Sequence, residues 1–269
     1  MNKRKIILLA TALCMVAILV AGGTLAYFTD ADAKTNVFTV GNVQIDLKEN
    51  YEQLSNLLPV TYDEKGERKP DNVVNKDVYV SNTGTELAYV RVHIAIPTIL
   101  DDGDPDFDAG KNVLHFNAEK ESYQNGFWNW STTPAGNDNL TGNNMVDGEW
   151  NFYTTKIKTT VGEGENAKEV ELDYNVYVVT YESILTKDAT TLHYAMSQVY
   201  LDSKVTNADI TKINETLGKN WKIFVAAEGA QAGGFATAFE ALNTSFGIPG
   251  DYTVEWDAVE KYIDENPNT

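Results

Sequence analysis

Cysteine is all but missing from this chain: Cys14 stands alone, inside an apolar run near the N-terminus. No disulfide can therefore staple the fold, and no catalytic cysteine is available once that run is removed. Basic residues are also scarce, 21 Lys and Arg against 39 Asp and Glu, for a formal charge of -18. Nucleic acid and anionic membranes both need a basic footprint, so neither is an expected partner. Histidine is the third shortage. His93, His115 and His193 are isolated in sequence, whereas a zincin needs two histidines one helical turn apart with a glutamate between. No Gly-x-Ser-x-Gly elbow and no phosphate-binding loop is present. Carboxylates are too plentiful to single out a glycosidase pair.

What the chain does have is a core-forming composition. Hydrophobic residues make up 43% and aromatics 11%, which excludes general disorder. The front end reads as an export leader. Lys3-Arg4-Lys5 is a basic start, Ile6 to Val20 an apolar stretch, and Thr24-Leu25-Ala26 places small residues before a cut after Ala26. Thr24, Ala26 and Tyr27 are thus the residues of the expected signal-peptidase site. Gly22-Gly23 breaks the helix just ahead of the bond a peptidase must hold extended. Counted through Ala26, the apolar run is just long enough to span a bilayer, which makes an uncleaved anchor the competing reading. Leu58-Pro59-Val60-Thr61 imitates a wall-sorting motif, but Tyr62 follows where glycine belongs, and the last residues are the polar DENPNT; covalent wall anchoring is not expected.

Beyond residue 26 the dominant period is two. In LAYVRVHIAIP, Val90, Val92, Ile94 and Ile96 alternate with Tyr89, Arg91, His93 and Ala95, the pattern of a half-buried strand. Asn82-Thr83-Gly84 reads as a hairpin or sheet-crossing turn between that strand and one around Val78 and Val80. A second strand pair flanks the polar loop Gly162 to Asn166. Further strands are expected at 37–47, 192–201 and 221–227. Short strands with few helical crossovers predict a mainly β fold, an antiparallel sandwich of jelly-roll or related topology. Helices are expected only late: Phe235, Phe239, Leu242 and Phe246 lie at helical spacing as a core stripe ahead of Gly247, and EWDAVEKYIDE would form a short final helix. The expected organisation is a leader at 1–26, a separate N-terminal segment at 27–38, a sandwich at 39–230 and a helical appendage at 231–269.

The stretch GGTLAYFTDADAKTNVFTVGNVQIDL resembles the N-terminal signature of the TasA/camelysin family, secreted proteins of Gram-positive bacteria. Ala26, Phe28, Asp30, Phe38, Gly41 and Leu47 carry the match. DVYVSNTGTELAYVRVHIAI and LTKDATTLHYAMSQVYLDSKVTNADI are similar to later strands of the family, although Lys187 to Thr190 replaces its usual Pro-Gly-Glu-Thr-like turn. AAEGAQAGGFATAFEAL is similar to a strand-then-helix of many members. The resemblance implies a jelly-roll domain exported by a dedicated signal peptidase. It also implies assembly into biofilm-matrix fibres by donor-strand complementation, in which the processed N-terminal strand of one subunit completes the sheet of the next. Tyr27 to Phe38 would be the donor, poorly ordered in an isolated monomer, with Tyr27, Phe28, Val37 and Phe38 as docking residues. The partners implied are further copies of the chain, related matrix subunits or an assembly protein.

Other readings compete. Camelysins are described as metallopeptidases, which makes a surface metallopeptidase the alternative, although the residues supply no zinc-protease motif. In DDGDPDFDAG, Asp104, Asp106 and Asp108 stand at alternate positions like the start of a calcium loop, making calcium the one cofactor to consider; Ala109 and His115 occupy places where glycine and glutamate belong. GFWNW offers Trp128 and Trp130 as a carbohydrate platform for an adhesin, although such tryptophans more often belong to a sheet core.

Overall fold

The computed structural model describes residues 29–32, 43–51, 57–67, 69–101, 113–116, 128–130, 152–162, 167–218, 221–252, 254–256 and 259. Among them the strands, in chain order, are β1 (Thr29–Asp32), β2 (Ile45–Tyr51), β3 (Val74–Asn82), β4 (Ala88–Pro97), β5 (Leu114–Phe116), β6 (Trp128–Trp130), β7 (Phe152–Val161), β8 (Lys168–Leu185), β9 (Met196–Leu201) and β10 (Phe224–Gln231). Two helices, α1 (Asn207–Leu217) and α2 (Ala238–Phe246), complete the inventory with a 3-10 turn at Thr98–Leu100.

The strands form the expected antiparallel sandwich. A six-stranded sheet runs β1-β10-β4-β8-β6, with β7 also on β8, and a four-stranded sheet runs β2-β3-β9-β5. Between them lies the main core, where Val90, Val92, Ile94 and Ile96 of β4 meet Ile45, Leu47, Val78 and Val80 of β2 and β3. These are the period-two positions of the sequence, and alternation is what directs them to one face. β7 and β8 are the hairpin expected around Gly162, paired from Phe152↔Tyr177 to Val161↔Lys168.

Of the two roles open to Asn82-Thr83-Gly84, the chain uses the sheet crossing: β3 and β4 belong to different sheets. Asn82 is fully buried and ties the corner together. Its Nδ2 donates to the carbonyls of Glu86 (2.7 Å) and Leu185 (3.0 Å), and its Oδ1 accepts from the Gly84 amide (3.0 Å).

Two features differ from the sequence reading. β4 is not half-buried; all ten of its residues are buried. The outward positions are covered by C-terminal residues: Trp256 and Val254 pack with Phe224, Ala226 and Ala95, while Ala238, Ala241 and Leu242 of α2 pack with Tyr89, Ala230 and Ala232. The described part of the stretch read as an appendage thus lies as a third layer over the larger sheet. Of the expected stripe, Leu242 is buried and Phe235 and Phe246 pack against the same cluster, while Phe239 is only partly buried. The second difference is α1, which the period-two reading passed over. Thr206 and Asp209 form its capping box, and Ile213 and Leu217 join the main core.

Candidate functional site

The edge of the larger sheet is where the N-terminal signature and the fold meet. β1 lies antiparallel on β10, in the register Thr29↔Ala230, Asp30↔Gly229, Ala31↔Glu228 and Asp32↔Ala227. Four residues of the expected donor segment, Thr29–Asp32, therefore pair with the chain's own sheet. The pairing is slight. Among the described residues it spans four, TDAD, and aspartate and alanine are both depleted in strands.

β10, the strand that receives it, is anchored on both faces. On the inner side Gly229 leaves no room for a side chain: a Cβ there would lie 2.7 Å from Ile45 Cγ2. β2 of the opposite sheet thus approaches β10 as only glycine permits. On the outer side Glu228 enters a buried polar cluster. Its carboxylate accepts from Arg91 Nε (2.6 Å) and from the Tyr252 hydroxyl (2.7 Å), and His93 Nε2 stands 3.1 Å away. Arg91 spends its remaining donors on the C-terminal layer, bonding Asn243 Oδ1 (2.7 Å), the Gly247 carbonyl (3.1 Å) and Tyr252 (2.8 Å). Its guanidinium also lies 5.7 Å from the ring centroids of both Phe246 and Tyr252, within cation–π range.

Burial alone would raise the Glu228 carboxyl, but attraction to His93 and Arg91, with hydrogen bonds from His93 and Tyr252, outweighs it and holds the group down at about 2. The Tyr252 and Tyr153 phenols move the other way, well above their ordinary value, through burial first and the nearby Glu228 charge second. The cluster is a set of paired charges under a protein layer, with Arg91, His93 and Glu228 all buried; among the described residues His93 Nδ1 has no hydrogen-bond partner. That geometry fastens elements together and offers a substrate no access.

Other sequence-derived candidates fall elsewhere. Thr24, Ala26, Tyr27, Phe28, Val37 and Phe38 lie outside the described residues, as do Asp104, Asp106 and Asp108. Asp101, the first aspartate of that acidic run, is buried; it accepts from the Tyr177 hydroxyl and from Asn175 Nδ2 (3.0 Å). Trp128 is fully buried between the sheets, its indole N–H donating to the His193 carbonyl at 3.3 Å. A carbohydrate platform needs an exposed ring face, so Trp128 does not serve as one; the Trp130 side chain is outside the description.

The histidines do not converge on a metal site. His93 is in the larger sheet's cluster, beside a guanidinium that repels cations. His115 belongs to the other sheet, 3.1 Å from Asp202 Oδ2 and stacked on Tyr200 with ring centroids 5.1 Å apart. Among the described residues no three His, Cys, Asp or Glu side chains stand together as a metal site, and no helix is long and apolar enough to cross a membrane.

Residues 2–116 match the family described as camelysin metallo-endopeptidase, which bears out the resemblance carried by the N-terminal signature. The match runs from residue 2 through β5; β6 to β10 and both helices lie beyond it. No curated protein and no solved structure matches the chain. Among the described residues the histidines form no site for the metal that the family's description implies.

Proposed function

We propose that this chain, which over residues 2–116 matches the camelysin family, is a secreted structural protein of the bacterial extracellular matrix that polymerises by exchanging its N-terminal strand. The observation that carries the reading is the pairing of β1 on β10. A strand of four residues on a sheet edge can be replaced by the same strand of another copy with no change in the bonds made, because donor and acceptor are identical. What changes is connectivity. A strand donated in trans makes a head-to-tail contact, and such contacts extend into filaments when they do not close.

The leader explains why assembly waits for export. While Ile6 to Val20 is attached, the donor is tethered to the membrane and cannot thread a neighbour; cutting after Ala26 frees it. The resulting protein is secreted or held at the cell surface, with its acidity serving solubility.

Electron microscopy of the protein recovered from culture, beside a chain beginning at Thr39, tests the reading. Filaments from the first and none from the second are expected. Filaments from both would remove the N-terminal strand from the mechanism. A casein assay with and without chelator addresses the peptidase alternative, for which no activity is expected.

A further inference from the structure

From the way the C-terminal layer is bonded to β10, we infer that Arg91, Glu228 and Asn243 are positioning residues for strand exchange: they hold the acceptor strand in the sheet while its edge is empty. The inference rests on the strand-exchange reading and adds the part of the molecule that keeps the acceptor competent.

The argument begins with the composition of the acceptor. The four residues of β10 that pair with β1 are Ala227, Glu228, Gly229 and Ala230, preceded by Ala226. Alanine and glycine are poor strand formers, and glycine carries the largest ordering cost of any residue. When β1 leaves, this stretch becomes an edge bonded on one side only, to β4. Local propensity then favours fraying at the place an incoming strand must find an ordered template.

Glu228 stands where the fraying would start. It lies in one row with Ala31 of β1 and Arg91 of β4, so the Arg91–Glu228 pair crosses the one ladder that survives the exchange. Arg91 extends that grip to α2 through Asn243 and to the following turn through the Gly247 carbonyl. Small residues let α2 lie close to β10, as Ala230 and Ala238 show by sharing a cluster. The same small residues make β10 weak on its own, and the buried fork of Arg91 supplies the hold that propensity does not. A lysine, a point charge without the planar fork, cannot bond Glu228, Asn243 and Gly247 together.

The test compares the unsubstituted secreted protein with Asn243→Ala, which leaves the Arg91–Glu228 pair in place, with Arg91→Lys, and with Leu217→Ala as a core-destabilised control on α1. Filament elongation is followed by light scattering, and amide exchange of residues 226–230 is read in the monomer. Both cluster variants are expected to exchange faster at those amides and to elongate about tenfold more slowly, a loss of about 1.4 kcal/mol in effective template affinity; Leu217→Ala should stay within about twofold in elongation at temperatures well below its melting transition. Unchanged exchange at residues 226–230, or faster exchange with unaltered elongation, would overturn the inference and leave strand exchange standing. Slowing by Leu217→Ala equal to that of the cluster variants would overturn it too, by reducing the effect to general stability. If the unsubstituted protein forms no filaments, the strand-exchange reading itself fails, and the inference with it.

Discussion

Arg91 and Glu228 show how a charged pair inside the fold is read from its surroundings. Removing one member strands the other. Arg91→Met is expected to destabilise the chain by about 3–5 kcal/mol, because the Glu228 carboxylate stays buried without its main donor, whereas Arg91→Met with Glu228→Leu should cost much less. Urea unfolding of the two variants measures the difference. The same carboxylate predicts a pH dependence. Its folded value is about 2 against an ordinary 4.5, so its stabilisation is fully present above about pH 4.5 and is lost as pH falls through that window towards 2. Glu228→Gln should flatten this acid limb of the stability profile; an unaltered limb would show that other groups govern it. The sequence showed Arg91 and His93 on the mixed face of their strand but not that this face is covered. Covering depends on residues more than 150 positions away, such as Asn243 and Tyr252, and periodicity carries no information at that range.

At the scale of elements, strands were legible and their partners were not. Alternation in LAYVRVHIAIP placed β4 and its inward residues, since the pleat turns period two into one face. Whether Asn82-Thr83-Gly84 closes a hairpin or crosses between sheets was left open by composition, because the same residue types serve both. α1 was missed although Thr206 and Asp209, three apart, announce it; attention to period two hides a capping signal. Thr206→Ala should lower stability by about 1 kcal/mol, measurable by thermal unfolding. The closest approach between sheets makes a sharper prediction. Gly229→Ala puts a methyl against Ile45, and the overpacking should cost about 1–3 kcal/mol; a smaller side chain in Ile45→Ala should relieve part of that cost, so the two changes should not add. Strict additivity in a double-mutant cycle would contradict the contact.

For the molecule as a whole, the N-terminal signature pointed to the family, and residues 2–116 match it. What the sequence could not display is that Thr29–Asp32 pairs with β10 of its own sheet, so the donation proposed above would be an exchange of one copy's strand for another's. That difference predicts a switchable monomer. Cysteines at Thr29 and Ala230, register partners across the ladder, should lock β1 in place when oxidised and block filaments, with growth restored by a reductant. Cys14 lies ahead of the expected cut after Ala26, so on that reading the engineered pair would have no native thiol to compete with.

Exchange between copies is the central claim, and it can be caught directly. One preparation of the chain carries Thr29→Cys, a second carries Ala230→Cys, and the two are mixed, allowed to assemble and oxidised. Non-reducing electrophoresis of the filaments should then show a disulfide-linked dimer containing one chain of each kind, absent from either preparation assembled and oxidised alone. Filaments that form normally yet yield no such mixed dimer would contradict the account.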